Sequence, residues 1–386
     1  MQDFNFYNPT HIIFGRDRLK ELDSYIPQES RVLVLYGGGS VKKHGTLQKV
    51  IEALGNRRVL EFGGIEPNPQ FTTLMKAVQL VKKEQVDFLL AVGGGSVMDG
   101  TKFVALASKY QGDKPQDLLF HGFNPVPVSE ALPLGTVVTL PATGSEMNSG
   151  AVISYEHGKY PVFSPLAFPK FSFLDPSLTF TLPATQVANG IIDTFVHVVE
   201  QYVTFPAEGS FQDRTAEGIL QTLIEIGRKT IDDPTGYDAR ANLVWCATMG
   251  LNGLIGAGVP QDWTTHLIGH ELTAMFGIDH GKTLAILQPA IWTVRKEKKR
   301  EKLLQYARRV WNITDGDDDS KIDLAISKTR EFFESLGVKT RLSDYGVKAD
   351  KIVDLVGELE KKGLTALSET KDVTPAVSRK ILEKAL

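Results

Sequence analysis

Short apolar runs alternate with glycine turns through the first half of the chain. Arg31–Tyr36 (RVLVLY) is followed by Gly37–Ser40 and a helical segment to about Leu54. Arg58–Phe62 is followed by a Gly-Pro loop and helical spacing near Phe71–Glu84, and Asp87–Val92 (DFLLAV) by Gly93–Ser96 and a helix to about Ser108. Thr136–Leu140 then leads into Pro141–Glu146. Strands alternating with helices predict βαβ units and a parallel sheet. Strands covered on both faces lose polar alternation and read as continuous apolar runs, as these do. After Leu182 the pattern changes. Val187, Ile191, Phe195, Val198 and Tyr202 recur at helical intervals, and further helical stretches follow around 211–230, 237–256, 262–276, 298–311 and 321–336. Pro183, after Thr181 and Leu182, suits a helix start. The pattern therefore predicts an α/β domain over residues 1–181, a parallel sheet with flanking helices, and an all-α domain over residues 182–386. A cleft between two such domains is a usual place for a small-molecule site.

Composition narrows the chemistry. The 386 residues carry 43 Lys plus Arg against 46 Asp plus Glu, a net charge of −3, without the basic excess of a nucleic-acid binder. One cysteine stands against eight histidines. An intrachain disulfide and thiolate metal cages are thereby excluded, so a transition metal here must use imidazole and carboxylate. Cys246, among Val244, Trp245 and Ala247, is expected to be a buried, inert thiol. Met1–Leu22 lacks the basic and apolar regions of a signal peptide, and no run of about 18 apolar residues exists to span a membrane. A reducing cytoplasm is the expected location.

Gly37-Gly38-Gly39-Ser40 and Gly93-Gly94-Gly95-Ser96 each follow an apolar strand and precede a helix. A glycine turn there lets backbone N–H groups approach a phosphate, and a helix N-terminus adds partial positive charge. Neither turn fits G-x-G-x-x-G, the third position being Lys42 in one and Met98 in the other, and neither is a P-loop. Each alone also reads as a tight βα turn; two on adjacent βαβ units favour a nucleotide. Thr139, Thr143 and Ser145, in the segment Thr139–Glu146, add hydroxyls suited to phosphate or ribose oxygens, or to turn capping. A carboxylate on the ribose 2′-OH favours NAD. No Asp or Glu occurs from Leu33 to Val50, and Lys42 and Lys43 lie just beyond the first turn, which favours NADP.

Asp193 and His197 are four positions apart in a helical pattern and so share a face, as do His266 and His270; His280 follows after a short loop, with Gly281 next. Asp193 and His197 sit among Ile191, Ile192, Phe195 and Val198, where an ionised carboxylate needs a partner. A divalent metal satisfies that need, Zn²⁺ or Fe²⁺ suiting a sulfur-free donor set best. Spacing leaves open which three histidines ligate. Asp315–Asp319 reads as a solvated loop before a helix, and the charge run Arg295–Lys302 as an exposed helix face. His11, His44, His121 and His157 are assigned to no site.

GGGSxxD (Gly93–Asp99), TxxxTGSE (Thr139–Glu146), DxxxH (Asp193, His197) and HxxxH with a distal His-Gly (His266, His270, His280-Gly281) occur in that order. The chain thereby resembles, nearly end to end, the iron-containing alcohol dehydrogenase family, in its NADPH-dependent butanol dehydrogenase and broad-range aldehyde reductase branch. The resemblance implies an N-terminal dinucleotide-binding domain and a helical metal and substrate domain. It implies that Asp193, His197, His266 and His280 hold one divalent metal, iron or zinc, leaving His270 as a pocket histidine for proton handling. It implies that Gly94, Gly95, Ser96 and Asp99 carry over to the pyrophosphate site, that Lys159 contacts the cofactor, and that Gly37 stands where NAD-preferring relatives have Asp. The implied activity is hydride transfer between NADP(H) and small aldehydes or primary alcohols, in a homodimer. Two alternatives remain. One is a metal- and nucleotide-dependent lyase resembling dehydroquinate synthase, disfavoured because Asp193–Val203 and Val259–Thr283 hold only Lys282 to grip a polyanion. The other is a nucleotide-binding protein whose metal is purely structural.

Overall fold

A computed structural model describes residues 1–156 and 158–386; His157 lies outside the described residues. The chain divides into two compact units, Tyr7–Leu182 and Pro183–Leu386, the second joined by Met1–Phe6. Gln2 N donates to Gly258 O at 2.8 Å, which ties the first residues to the helical unit.

Tyr7–Leu182 contains strands β1 (His11–Phe14), β2 (Arg31–Tyr36), β3 (Arg58–Phe62), β4 (Phe88–Gly93), β5 (Leu134–Val138), β6 (Gly150–Tyr155), β7 (Gly158–Phe163) and β8 (Phe171–Leu174). Helices α1 (Ser40–Lys43), α2 (Thr46–Ala53), α3 (Phe71–Glu84) and α4 (Gly95–Ala107) connect them. Six strands form one sheet in the order β1-β8-β5-β4-β2-β3, every neighbouring pair parallel. Every residue of β4, and all of β2 after Arg31, is buried, as an apolar run predicts for a strand covered on both faces. One side of the core joins Val32, Val34, Leu90 and Val92 to Leu47, Val50 and Leu54 of the α2 region.

From β2 the chain moves outward to β3, then returns past β2 to β4. The order reverses between β2 and β4, and ligands of open α/β sheets bind outside the carboxyl ends of the strands at such a point. Tyr36 pairs with Val92 there, so both GGGS turns leave the sheet side by side. β5 ends beside them: Gly93 pairs with Val138, and Thr139 N donates to Gly93 O at 2.9 Å. The antiparallel ribbon β6–β7 and the four-residue strands β1 and β8 are additions to the pattern read from the apolar runs.

The helical unit contains α5 (Ala184–Tyr202), α6 (Ser210–Asp232), α7 (Tyr237–Gly250), α8 (Thr264–Phe276), α9 (His280–Val294), α10 (Arg300–Val310), α11 (Asp318–Ser335), α12 (Ile352–Lys361) and α13 (Pro375–Lys384). From Gly190 to Tyr202 every residue of α5 is buried, so this helix is enclosed by its neighbours rather than laid on a surface. Ile268 and Leu272 of α8, Ile286, Leu287 and Ile291 of α9, Leu355 and Leu359 of α12 and Ile381 and Leu382 of α13 share one core. No described helix is long and apolar enough to cross a membrane.

The charge run Arg295–Lys302 is an exposed face only in part: Glu297, Lys298 and Glu301 are exposed, but three of its cations are not. Arg295, Lys299 and Lys302 are 6%, 3% and 5% exposed. Arg295 pairs with Asp372. Lys299 meets Asp262 at 2.8 Å and Glu369 at 2.9 Å, and donates to Val203 O at 2.9 Å. Lys302 meets Asp213 at 2.6 Å and lies over the Tyr202 ring. Buried cations require paired acids, and those acids lie up to 89 residues away in sequence. Spacing along the run carries no trace of them. Cys246 is buried, and its thiol is pushed up to about 12 by that burial.

Candidate metal centre and glycine turns

Three helices bring the metal candidates together. α5 supplies Asp193 and, one turn on, His197; α8 supplies His266; α9 supplies His280 as its first residue. Asp193 Oδ1 lies 3.4 Å from His280 Nε2, 3.5 Å from His266 Nε2 and 3.7 Å from His197 Nε2. The His197 and His266 rings stack at 4.5 Å, with the Trp263 ring set edgewise against both. The first turn of α9 can approach α5 this closely because residue 281 is glycine. A β-carbon there would stand 2.7 Å from Asn189 O and 2.8 Å from Asn189 Cα. The His-Gly pair is therefore a packing requirement as well as a motif.

The donors fit a metal ion. Ligand atoms about 2.0–2.2 Å from one tetrahedral ion stand about 3.3–3.6 Å apart; the distances from Asp193 to His280 and His266, 3.4 and 3.5 Å, match that spacing, and His197 at 3.7 Å stands just outside it. Asp193 Oδ1 and His266 Nε2 are buried and make no hydrogen bond, an unfavourable arrangement unless a further group takes their lone pairs. Asp193, His266 and His280 also form the one compact metal-capable group among the described residues. Burial raises the Asp193 pKa, but the surrounding imidazoles, His197 foremost, outweigh burial and hold the carboxyl well below the usual carboxylate range. Three imidazoles and one carboxylate without a thiolate suit Fe²⁺ or Zn²⁺.

Glu200 belongs to this site and is absent from the sequence reading. It lies one turn beyond His197 on α5 and is 3% exposed. Its Oε2 pairs with His266 Nδ1, while Oε1 accepts from Thr265 N at 2.7 Å and His266 N at 3.3 Å. A carboxylate on Nδ1 fixes the tautomer and presents Nε2 to the ion. The signal for Glu200 is its spacing: Asp193, His197 and Glu200 repeat at four and then three residues along one face of a helix otherwise apolar there. Behind Glu200, Asp262 N donates to Glu200 O at 2.8 Å, and the Asp262 carboxylate accepts from Thr264 N at 3.0 Å at the start of α8. His270, one turn beyond His266, is partly exposed, its ring 5.4 Å from that of His280 and 6.3 Å from that of His266.

In the other unit, Gly37, Gly38, Gly39, Ser40, Gly94, Gly95, Ser96 and Thr139 all lie at the carboxyl edge of β2, β4 and β5. Gly95 is required by packing: a β-carbon would come within 2.5 Å of Thr143 Cγ2. The second turn is thus pressed against the Thr139–Ser145 segment, while Gly38 faces open space. Ser96 Oγ accepts from Asn68 N at 3.2 Å, and Thr143 Oγ1 from Ser145 N at 3.2 Å. Ser145 Oγ donates to Asp99 Oδ1 at 2.7 Å, and Asp99 Oδ2 accepts from Val152 N at 2.9 Å. Asp99 and Ser145 therefore hold each other and the following ribbon, a duty the motif alone did not suggest. Lys159, on β7 opposite Ser154, is close enough to Asp99 to stabilise its charge. Lys102, fully buried and also unforeseen, donates to Asn148 Oδ1 at 2.9 Å and Gly150 O at 2.8 Å, pinning the same loop to α4.

Residues 9–176 match the family described as iron-containing alcohol dehydrogenase, and residues 187–369 the C-terminal part of the Fe-containing alcohol dehydrogenase family. The chain is 56% identical to the NADPH-dependent aldehyde reductase YqhD of Escherichia coli over the whole of both chains. It is 42% identical to a probable NADH-dependent butanol dehydrogenase 1 of Bacillus subtilis, covering 91% of this chain and 92% of that one. Among solved structures, E. coli YqhD superposes with a TM-score of 0.98, covering 100% of this chain and 99% of that one at 56% identity. The NADH-dependent butanol dehydrogenase A of Thermotoga maritima superposes with a TM-score of 0.93 at 34% identity, with the same coverage. On its sequence, its sheet and its helical metal-capable cluster, the chain belongs to the iron-containing alcohol dehydrogenase family.

Proposed function

We propose that this chain is an NADPH-dependent aldehyde reductase, reversible as a primary-alcohol dehydrogenase, with one divalent metal, Fe²⁺ or Zn²⁺, held by Asp193, His197, His266 and His280. The observation that carries the reading is the set of three imidazole Nε2 atoms 3.4–3.7 Å from Asp193 Oδ1. The 56% identity to an enzyme named as an NADPH-dependent aldehyde reductase supports the cofactor and the substrate class. When bound, the ion supplies Lewis-acid stabilisation of the charge that develops on a carbonyl oxygen as hydride arrives at carbon.

The chain's own residues do the rest. Asp193 brings the single negative charge to three imidazoles, and Glu200 orients one of them. His270, a partly exposed imidazole whose ring lies 5.4 Å from that of His280, holds the proton that the product oxygen takes up. The α/β unit acts as the dinucleotide-binding domain and the helical unit as the metal and substrate domain. The turns Gly37–Ser40 and Gly94–Ser96 receive the phosphates; Thr139, Thr143 and Lys159 line the same site, while Asp99 and Ser145 shape it. The absence of an acid at Gly37, with Lys42 and Lys43 nearby, favours NADPH over NADH. A cytoplasmic homodimer is the proposed working form.

A lyase acting on a polyanion would need free cations at the ion, whereas Lys282 is paired with Asp279 at 2.5 Å. The test of the ligand set is His266→Ala, read by elemental analysis and by NADPH oxidation with butyraldehyde. Metal content is expected to fall, and turnover to fall by more than about a hundredfold, beyond the effect of losing an outer partner. Full metal content with unchanged turnover would overturn the assignment.

A further inference from the structure

No Asp or Glu lies between Leu33 and Val50, yet a carboxylate does reach the first glycine turn: Glu61, near the end of β3. Tyr36 Oη donates to Glu61 Oε2 at 3.1 Å, and Lys42 Nζ lies 3.0 Å from the same oxygen and 5.0 Å from the centre of the Tyr36 ring. The ring fits because residue 63 is glycine; a β-carbon there would stand 2.4 Å from it. Gly64 N donates to Gly37 O at 3.0 Å and Ile65 N to Tyr36 O at 3.2 Å, which fastens the end of β3 to the turn.

Dinucleotide folds place an acid about 20 residues beyond the glycine turn, where it accepts from the ribose 2′-OH. Glu61 follows Gly37–Ser40 at close to that interval, on the neighbouring strand of the first βαβ unit. Here its charge is covered by an ammonium and a phenol. A bare carboxylate in that place repels a 2′-phosphate; one neutralised by a lysine does not. The Lys42 and Glu61 side chains are 54% and 39% exposed, so both face solvent at the mouth of the turn.

We propose that Tyr36, Lys42 and Glu61 form the element that reads the substituent at the nucleotide's ribose 2′ position, Lys42 engaging a 2′-phosphate while it and Tyr36 mask the latent carboxylate of Glu61. The proposal rests on the dinucleotide reading above and on the adenosine ribose meeting the first turn. Removing Lys42 uncovers an acid that favours a 2′-hydroxyl.

The test is calorimetric binding of adenosine 2′,5′-bisphosphate and of AMP to the metal-loaded protein, independent of turnover. The unaltered protein binds the bisphosphate more tightly. Lys42→Ala weakens the bisphosphate by about ten- to a hundredfold, the range of a lost charge-assisted hydrogen bond, and leaves AMP equal or tighter. Lys42→Ala combined with Glu61→Gln recovers part of the bisphosphate affinity, because the uncovered charge is gone. Equal weakening of both nucleotides by Lys42→Ala, or a double variant no better than the single, overturns the proposal while the dinucleotide reading stands. Failure of the unaltered protein to bind NADPH or either probe overturns both.

Discussion

At Glu200 both carboxylate oxygens are taken up by the start of α8: one by the Thr265 and His266 amides, the other by His266 Nδ1. Outer partners of this kind are worth about ten- to a hundredfold in metal affinity. Glu200→Gln keeps the volume but loses the charge, so metal affinity should fall within that range in competition against a chromophoric chelator; equal affinity would contradict the orienting role. The pH dependence follows from His266. Burial alone lowers its pKa, but Glu200 and Asp193 outweigh burial and push it from 6.5 up to about 9 in the metal-free chain. A group whose pKa is higher in the folded state stabilises the fold while protonated. That contribution is fully present below about 6.5 and lost as pH rises through about 9. The metal-free protein should therefore lose thermal stability across that window. Metal binding displaces the same proton, so affinity for the ion should rise with pH. A metal-free melting temperature that climbs from pH 6.5 to 9 would contradict the pairing.

At the scale of elements, the centre depends on α9 lying hard against α5 and on α8 being held at its first turn. Gly281→Ala places a carbon within 2.7–2.9 Å of Asn189 backbone and side-chain atoms, which are not a flexible chain end. The start of α9 must then shift, taking His280 with it. Metal affinity is expected to fall at least tenfold while helical circular dichroism changes little, overpacking costing about 1–3 kcal/mol; unchanged affinity would show that the contact is slack. Lys299→Met leaves Asp262 and Glu369 as buried acids without their cation, and breaking a buried pair from one side costs about 3–5 kcal/mol. Denaturant unfolding measures that loss, and a loss below about 1 kcal/mol would place the triad among the weak surface pairs. These elements also show what the sequence displays and what it hides. Asp193 and His197 are legible because one helix sets their spacing. His266 and His280 are legible as histidines, but their meeting point depends on the loop between α8 and α9 and on packing that no spacing encodes. Glu200 and the burial of Arg295, Lys299 and Lys302 were missed because their partners are distant in sequence. β2 and β4 were legible as unbroken apolar runs. β1 and β8 are four residues each, and the β6–β7 ribbon, with Gly150, Gly158 and Pro161, lacks the alternation of apolar and polar residues that marks a half-buried strand, so neither gives a strong periodic signal.

At the scale of the molecule, an α/β unit with glycine turns at its strand-order reversal and a helical unit with an imidazole–carboxylate cluster together make a metal- and nicotinamide-dependent reductase. One cysteine among 386 residues cannot supply the two thiolates of a Cys₂His dehydrogenase site, and the Asp193 cluster is the imidazole–carboxylate set proposed in its place. The ion proposed at this cluster serves hydride transfer and not merely folding. The most direct measurement is NADPH oxidation with butyraldehyde by the purified protein before chelation, after it, and after return of Fe²⁺ or Zn²⁺, with helix content followed throughout. Activity should be lost on chelation with helix content retained and return with the metal; full activity in verified metal-free protein would show that the ion is not needed.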